Sequence, residues 1–440
     1  MFKRIIGAII ALTMVASMCS CSEQESSSQP TQPTPSSPSV VEPASKAASP
    51  TANYTFVGAS DGQKHDDSFI TGLNSFSVEM FKGSVKDDLS RGKNTLVSPE
   101  SVAFALGMTA NGANGETLEQ MRNTLCSDVD MDTFNKNMNL LMTNAEKSTE
   151  KEKLAIANSV WVKDIESMTL KDQFAKICKE KYDAEMYRAA FDQATVAQMN
   201  SWVNEKTDKM IPSIIDNLDE QARVVLINCI AFDAKWANPY ESDQVNEGED
   251  FTNAKGEKVK CDMLYGSERQ YVSDGKAQGF VKNYAGRYAF MALLPNEGVS
   301  LSEYVDSMTA DSFAKLYSDR TNQYKVYTRL PKFKYDYDIT LNETLQAMGI
   351  TTAFTDASDF SNMSDTELKI SSVLHKTHIE LDADGTKAAA ATAVTMDAKA
   401  ALEQEEVKNV YLDRPFAYAI MDTETGLPVF MGTVCDPSVQ

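Results

Sequence analysis

Histidine is scarce in this chain: 440 residues hold three, His65, His375 and His378. No G-x-S-x-G elbow surrounds any serine, so a hydrolase nucleophile with its base has no candidate. His375 and His378 are three apart, and a strand would send them to opposite faces, unsuited to sharing a metal. None of the seven cysteines forms a C-x-x-C pair. Two lie near the N-terminus. The other five, Cys126, Cys178, Cys229, Cys261 and Cys435, are odd in number and scattered, which indicates neither a disulfide framework nor a zinc site but small buried hydrophobes. Positive charge is also in deficit, with 42 Lys and Arg against 63 Asp and Glu and a net charge of -21. That balance excludes nucleic acid as a partner. Asp128, Asp130 and Asp132 open like a calcium loop that lacks its turn glycine and closing glutamate. Gly83 to Asn94 has the wrong glycine spacing for a phosphate loop, and Asn94 stands where Ser or Thr should bind magnesium. No cofactor is expected.

The first residues read as an export signal. Lys3 and Arg4 precede an apolar run, Ile5 to Val15, that is too short to span a bilayer. The run ends in Met18-Cys19-Ser20-Cys21-Ser22, which resembles the lipobox of bacterial lipoproteins. The resemblance implies a signal over 1–21, cleavage before Cys21 and a lipid anchor there; Cys19, preceded by Met18, fits less well. Two or three acyl chains would hold the protein on the outer face of a bacterial envelope. The alternative is an ordinary secretory signal that is simply removed. Residues 22–52, rich in Ser, Pro, Thr and Gln, cannot bury enough surface to fold. They form a tether of at most roughly 95 Å if extended as polyproline II.

From residue 53 to the end, no second linker and no repeat interrupts the chain, so one large domain is expected. Phe69, Leu73, Phe76 and Met80 mark an amphipathic helix. Further helices are expected at 99–111, 116–125, 192–209 and 339–348. Strand-like runs cover 154–162, 223–232, 288–294, 324–333, 416–421 and 429–434. Helices crowd the first half and strands the second, which points to α+β rather than a regularly alternating doubly wound sheet.

An ordered series of motifs runs through this body. Asn94-Thr-Leu-Val-Ser98-Pro99-Glu-Ser101-Val precedes Gly112-Ala113-Asn-Gly115-Glu-Thr117-Leu-Glu-Gln120. Asn158-Ser-Val-Trp161 and Asn200-Ser-Trp202-Val203-Asn-Glu-Lys206-Thr207 follow. Then come Val225-Leu-Ile-Asn228-Cys-Ile-Ala-Phe232-Asp-Ala-Lys235-Trp236, Leu330-Pro331-Lys332-Phe333, Met348-Gly349-Ile350, His375-Lys376, Arg414-Pro415-Phe416 and Phe430-Met-Gly432. From about 65 to 437 the chain resembles the serpins, protease inhibitors that act by loop insertion. The resemblance implies helices packed around a large central mixed β-sheet with further sheets, and an exposed reactive-centre loop at about 385–407. It also implies a monomer that is not an enzyme. Read locally, Ser98-Pro99 is an ordinary helix start. By resemblance, Ser98, Ser101, Asn228 and His375 form the polar shutter beneath the sheet, and Trp236 stands at the breach where the loop enters.

Gly385-Thr-Lys-Ala-Ala-Ala-Ala-Thr-Ala-Val-Thr-Met-Asp-Ala-Lys-Ala-Ala-Leu402 carries almost nothing bulky. Its alanines favour a helix. At the strand period, however, Thr386, Ala388, Ala390, Thr392, Val394, Met396 and Ala398 share one uncharged parity, while Lys387 and Asp397 fall on the other. Such a strand can slide into a sheet with its small face buried and its charges in water. The resemblance makes Gly385, Thr386, Lys387, Ala388, Ala389, Ala390 and Ala391 the hinge, and puts Thr386 near the exposed loop base before cleavage. Counting Gly385 as the fifteenth residue before the scissile bond sets the reactive bond at Lys399–Ala400, which suits a trypsin-like extracellular serine protease. A shifted register would favour an elastase-like enzyme. Ala383 and Lys387 stand where inhibitory serpins usually carry or often carry glutamate. A non-inhibitory surface binding protein on the same fold is the other class of function.

Overall fold

The chain divides into Met1–Lys46 and Ala47–Gln440, and the computed structural model describes residues 50–147, 149–166, 168–386 and 406–439. The signal, Cys21, most of the tether, hinge residues 387–391 and the Lys399–Ala400 bond lie outside the described residues. The first half runs α1 (Asp67–Ser90), β1 (Thr95–Val97), α2 (Pro99–Gly112), α3 (Gly115–Cys126), α4 (Met131–Ala145), β2 (Glu152–Lys163), α5 (Asp172–Tyr182), β3 (Glu185–Ala189), α6 (Gln193–Lys206) and β4 (Val224–Lys235). Then come β5 (Val245–Thr252), β6 (Lys258–Glu268), β7 (Gln270–Ser273), β8 (Ala277–Asn283), β9 (Tyr288–Pro295), α7 (Leu301–Ser307) and α8 (Ala310–Ser318). The remainder is β10 (Tyr324–Pro331), β11 (Phe333–Thr340), α9 (Asn342–Ala347), β12 (Leu374–Leu381), β13 (Gly385–Thr386), β14 (Glu406–Tyr411), β15 (Phe416–Asp422) and β16 (Pro428–Val434).

Local chemistry explains the helix starts. Asp66 caps α1 by accepting from the N–H groups of Ser68 and Phe69, and Phe69, Leu73, Phe76 and Met80 are buried along one face. Asp130, the middle of the false calcium loop, is the N-cap of α4, its carboxylate bonded to the Thr133 N–H. Two expectations shift. The strand read at 324–333 is two strands that break at Lys332, whose N–H turns aside to the Asp262 carbonyl. The helix read at 339–348 begins only at Asn342, because Ile339 and Thr340 still pair with His375 and Leu374.

Three sheets result. One six-stranded sheet, β1-β16-β15-β9-β8-β7, is core: every residue of β9, β15 and β16 is buried. A four-stranded sheet runs β14-β10-β6-β5, with β14 parallel to β10. The sheet that carries the site runs β11-β12-β13-β4-β2-β3 and is mixed. Its β12 and β4 run in the same direction, each antiparallel to the two-residue β13 between them.

The segment before α1 is strapped across α4 and α5. Tyr54 donates to Asp172 at 2.5 Å, the Val57 N–H to the Glu180 carbonyl at 3.1 Å, Asn139 to the Val57 carbonyl at 3.0 Å, and the Ala59 N–H to Thr143 at 2.9 Å. Among the described residues no helix is long and apolar enough to cross a membrane.

Candidate functional site: a strand slot with its shutter and breach

The N-terminus of α2 joins both strands that flank the slot. Ser98 caps the helix, accepting from the Ser101 N–H at 3.2 Å and donating to the Val429 carbonyl at 2.8 Å. The Ser98 N–H donates to Nε2 of His375, on β12, at 2.9 Å. Ser101 Oγ donates to Oδ1 of Asn228, on β4. The four shutter residues are therefore one chain of hydrogen bonds, with His375 and Asn228 tied to the helix. Were these strands to separate, each polar side chain could exchange partners, whereas an interdigitated apolar layer would lose its packing. At this end Val224–Asn228, Leu374, His375 and, from α2, Ser101, Val102, Ala105, Leu106 and Thr109 contribute to the wall of a cavity of about 870 Å³.

Asn158 extends the network and was missed as a site residue. It faces Asn228 across the β2–β4 ladder, accepts from its Nδ2 at 2.7 Å and donates to the Tyr182 carbonyl at 2.7 Å. Its sequence signal is the Asn158-Ser-Val-Trp161 motif; the register that sets it opposite Asn228 comes only with the fold. His378 points the other way from His375, to Asp336 on β11 at 2.6 Å, as the spacing required.

Burial pushes the His375 imidazole down to about 4, and the bond from Ser98 occupies the nitrogen that a second proton would need. The unfolded chain, near the ordinary 6.5, takes up this proton first as pH falls. Stability from this group is thus complete above pH 6.5 and lost between 6.5 and 4, by about 1.4 kcal/mol per pH unit and ~3 kcal/mol in all. Urea midpoints of the parent should fall more steeply across that window than those of His375→Gln. Parallel curves would mean that His375 is not the buried base.

At the opposite end the slot is already wedged. Gly385 and Thr386 pair with Lys235 and Ala234 of β4, and Thr386 also with Leu381 of β12. Thr386 is 2% exposed, with Oγ1 2.6 Å from the Tyr284 hydroxyl. This corrects the expectation of an exposed loop base: Gly385 and Thr386 are already paired between the two strands, and Thr386 is buried. Tyr284 carried no local signal; only the fold brings it here. Glycine is required at 385 because a Cβ would lie 2.1 Å from the Ala234 carbonyl oxygen.

Trp236, 1% exposed, is the latch on the turn that feeds the wedge. Its indole N–H donates to the Asp382 carbonyl at 3.0 Å. The backbone N–H groups of Trp236 and Tyr240 donate to the carbonyls of Asp384 and Ala383, each at 2.9 Å. Its ring stacks on Tyr284 at 4.4 Å. Asp382 closes the turn on itself, accepting from the N–H groups of Asp384 and Gly385; burial holds its carboxyl above the ordinary range. Ala383, where glutamate was expected, packs partly buried against the core, and Lys332 pairs with Asp262 at 3.4 Å.

A family profile described as Serpin (serine protease inhibitor) matches residues 71–437. The chain is a serpin. An uncharacterized serpin-like protein of Thermococcus kodakarensis is 30% identical over 395 residues, covering 88% of this chain and 89% of that protein. The crystal structure of the thermophilic serpin tengpin in its native state superposes with a TM-score of 0.81 at 40% identity, covering 89% of this chain and all of that one. Tengpin in its latent state gives 0.74 at 38% identity, covering 85% and 99%. The described arrangement is thus nearer the native of these two serpin states, and the α+β expectation stands. Membership places the chain among protease inhibitors rather than proteases.

Proposed function

We propose that this serpin is a suicide inhibitor of extracellular serine proteases. A protease attacks the loop and forms its acyl-enzyme; release of the new amine end frees the cut strand to insert before water reaches the ester. The supporting observation is the wedge: a two-residue strand seated between parallel neighbours and continued in the sequence by residues small enough to follow it. About a dozen added ladder residues at roughly 1 kcal/mol each supply on the order of 10 kcal/mol. The shutter's exchangeable hydrogen bonds lower the cost of parting β4 from β12. Distortion of the dragged protease stabilises the covalent complex, and the inhibitor is consumed once.

The target is trypsin-like, through Lys399. Mass spectrometry of the C-terminal peptide released when the chain is offered trypsin and elastase together should give an N-terminus at Ala400. A start at Ala401 or within residues 395–399 removes this assignment and favours an elastase-like target.

The same protein is held on the outer face of the cell envelope by lipid on Cys21. Cys21→Ser should move it from the detergent phase to the aqueous phase on phase partitioning. Unchanged partitioning means that the anchor does not exist.

A further inference from the structure

Under Trp236 lies an ion pair, its lysine buried and its glutamate half-buried, that neither the shutter nor the wedge uses. Lys282, on β8 and 5% exposed, donates from Nζ to Glu268 at 2.8 Å and to the Asn238 carbonyl at 3.0 Å. The same ammonium lies 4.4 Å from the ring centroid of Tyr240 and 5.5 Å from that of Trp236. Glu268 ends β6 and pairs in register with Val326 of β10, which in turn carries β14, the strand that receives the loop's far end. Trp236 and Tyr240 lie in the β4–β5 connection, and their N–H groups hold the hinge turn. One charge thus links three parts: the sheet at the loop's C-terminal end, the buried six-stranded sheet, and the latch on the loop's N-terminal end.

Stability does not call for a buried lysine here, since an apolar side chain of similar volume commonly serves as well at such a position. An ammonium adds direction. It fixes two aromatic faces and a carbonyl at once, as an aliphatic side chain cannot. We propose that Lys282, held by Glu268, is a positioning residue for loop insertion, seating the Trp236–Tyr240 segment on the hinge turn and so setting how long the uncut loop stays out of the sheet. This role presupposes the insertion mechanism proposed above. Without the ammonium the indole and Tyr240 lose their common support, the hinge turn loosens, and the wedge advances uncut to an inserted, inactive form.

The test uses the full chain with Lys282→Met, Lys282→Arg and Lys282→Met/Glu268→Leu. Each uncut protein is incubated at one temperature and followed by urea resistance and by covalent capture of trypsin. Lys282→Met should convert to the urea-resistant, inactive form about tenfold faster than the parent or more. Freshly prepared Lys282→Met should still capture trypsin at the parent's second-order rate. Lys282→Arg, which keeps the cation over both rings, should return close to the parent rate. The double variant has no orphaned carboxylate, so it should recover folded stability yet still convert fast. Conversion of Lys282→Met at the parent rate, or a double variant restored to it, overturns the proposal and leaves the pair a matter of packing. If Lys282→Met does not fold, the arginine and double variants decide on the same terms. A parent that gains no thermal stability when its loop is cut defeats insertion itself, and this role with it, by a measurement made on the parent alone.

Discussion

Ala388→Arg is expected to turn the inhibitor into a substrate. Thr386 already sits in the sheet, so on the proposed mechanism Ala388, next on the same parity, is the next inward residue to enter. An unpartnered guanidinium on that parity costs several kcal/mol to bury. A barrier raised by ~3 kcal/mol slows insertion by roughly 150-fold, and deacylation then wins. Gel analysis with trypsin should show a covalent complex for the parent and only cleaved chain for Ala388→Arg, with active protease released. Lys387→Glu, on the outward parity, should still form the complex. Equal complex yield from Ala388→Arg and the parent would mean that entry of this strand is not how proteases are stopped. Thr386→Arg is the poorer probe, since it would break the Tyr284 hydrogen bond and place a charge in a site 2% exposed in the uncut chain.

Cutting the loop should raise the melting temperature by on the order of 20 °C, the thermal counterpart of about 10 kcal/mol released when the ladder is completed. Differential scanning calorimetry of the intact and loop-cleaved chain measures it. No rise would favour the other class, a surface binding protein whose loop is only exposed. The same experiment on Ala388→Arg should give a smaller rise, because its strand stops short.

Elements whose signals are local were legible in the sequence. The stripe of α1 and the Ser98-Pro99 start of α2 required no knowledge of the fold. Neither did the apolar runs of β9, β15 and β16. Helices α4 and α5 were missed for a physical reason: α4 buries Asn135, Asn137 and Asn139 among its apolar residues, which blurs its hydrophobic period. Strands β5, β6 and β12 were not expected: β5 and β6 are mostly exposed or half-buried and rich in charge, and the buried residues of β12 alternate with Lys376, His378 and Glu380. In the site, Ser98, Ser101, Asn228, His375 and Trp236 were found through motifs. Tyr284, Lys282 and Glu268 were not, because their partners lie on strands far apart in the chain. The pre-inserted wedge was equally hidden. Parity shows that Thr386 can face inward, but only the spacing of β12 and β4 shows that it already does.

The strap from Tyr54 to Ala59 also determines how mechanical load enters the molecule. A pull delivered through the residues before Pro50 meets hydrogen bonds to Asp172, Glu180, Asn139 and Thr143 on α4 and α5. Those bonds take the force before it reaches α1, and none of them involves β4 or β12. Traction along the N-terminal segment, whether from flow or from a captured protease straining against an anchor, is therefore borne by a pair of helices outside the slot. On the mechanism and anchor proposed above, a spring released by cleavage of the loop is shielded from tugging at the N-terminal segment.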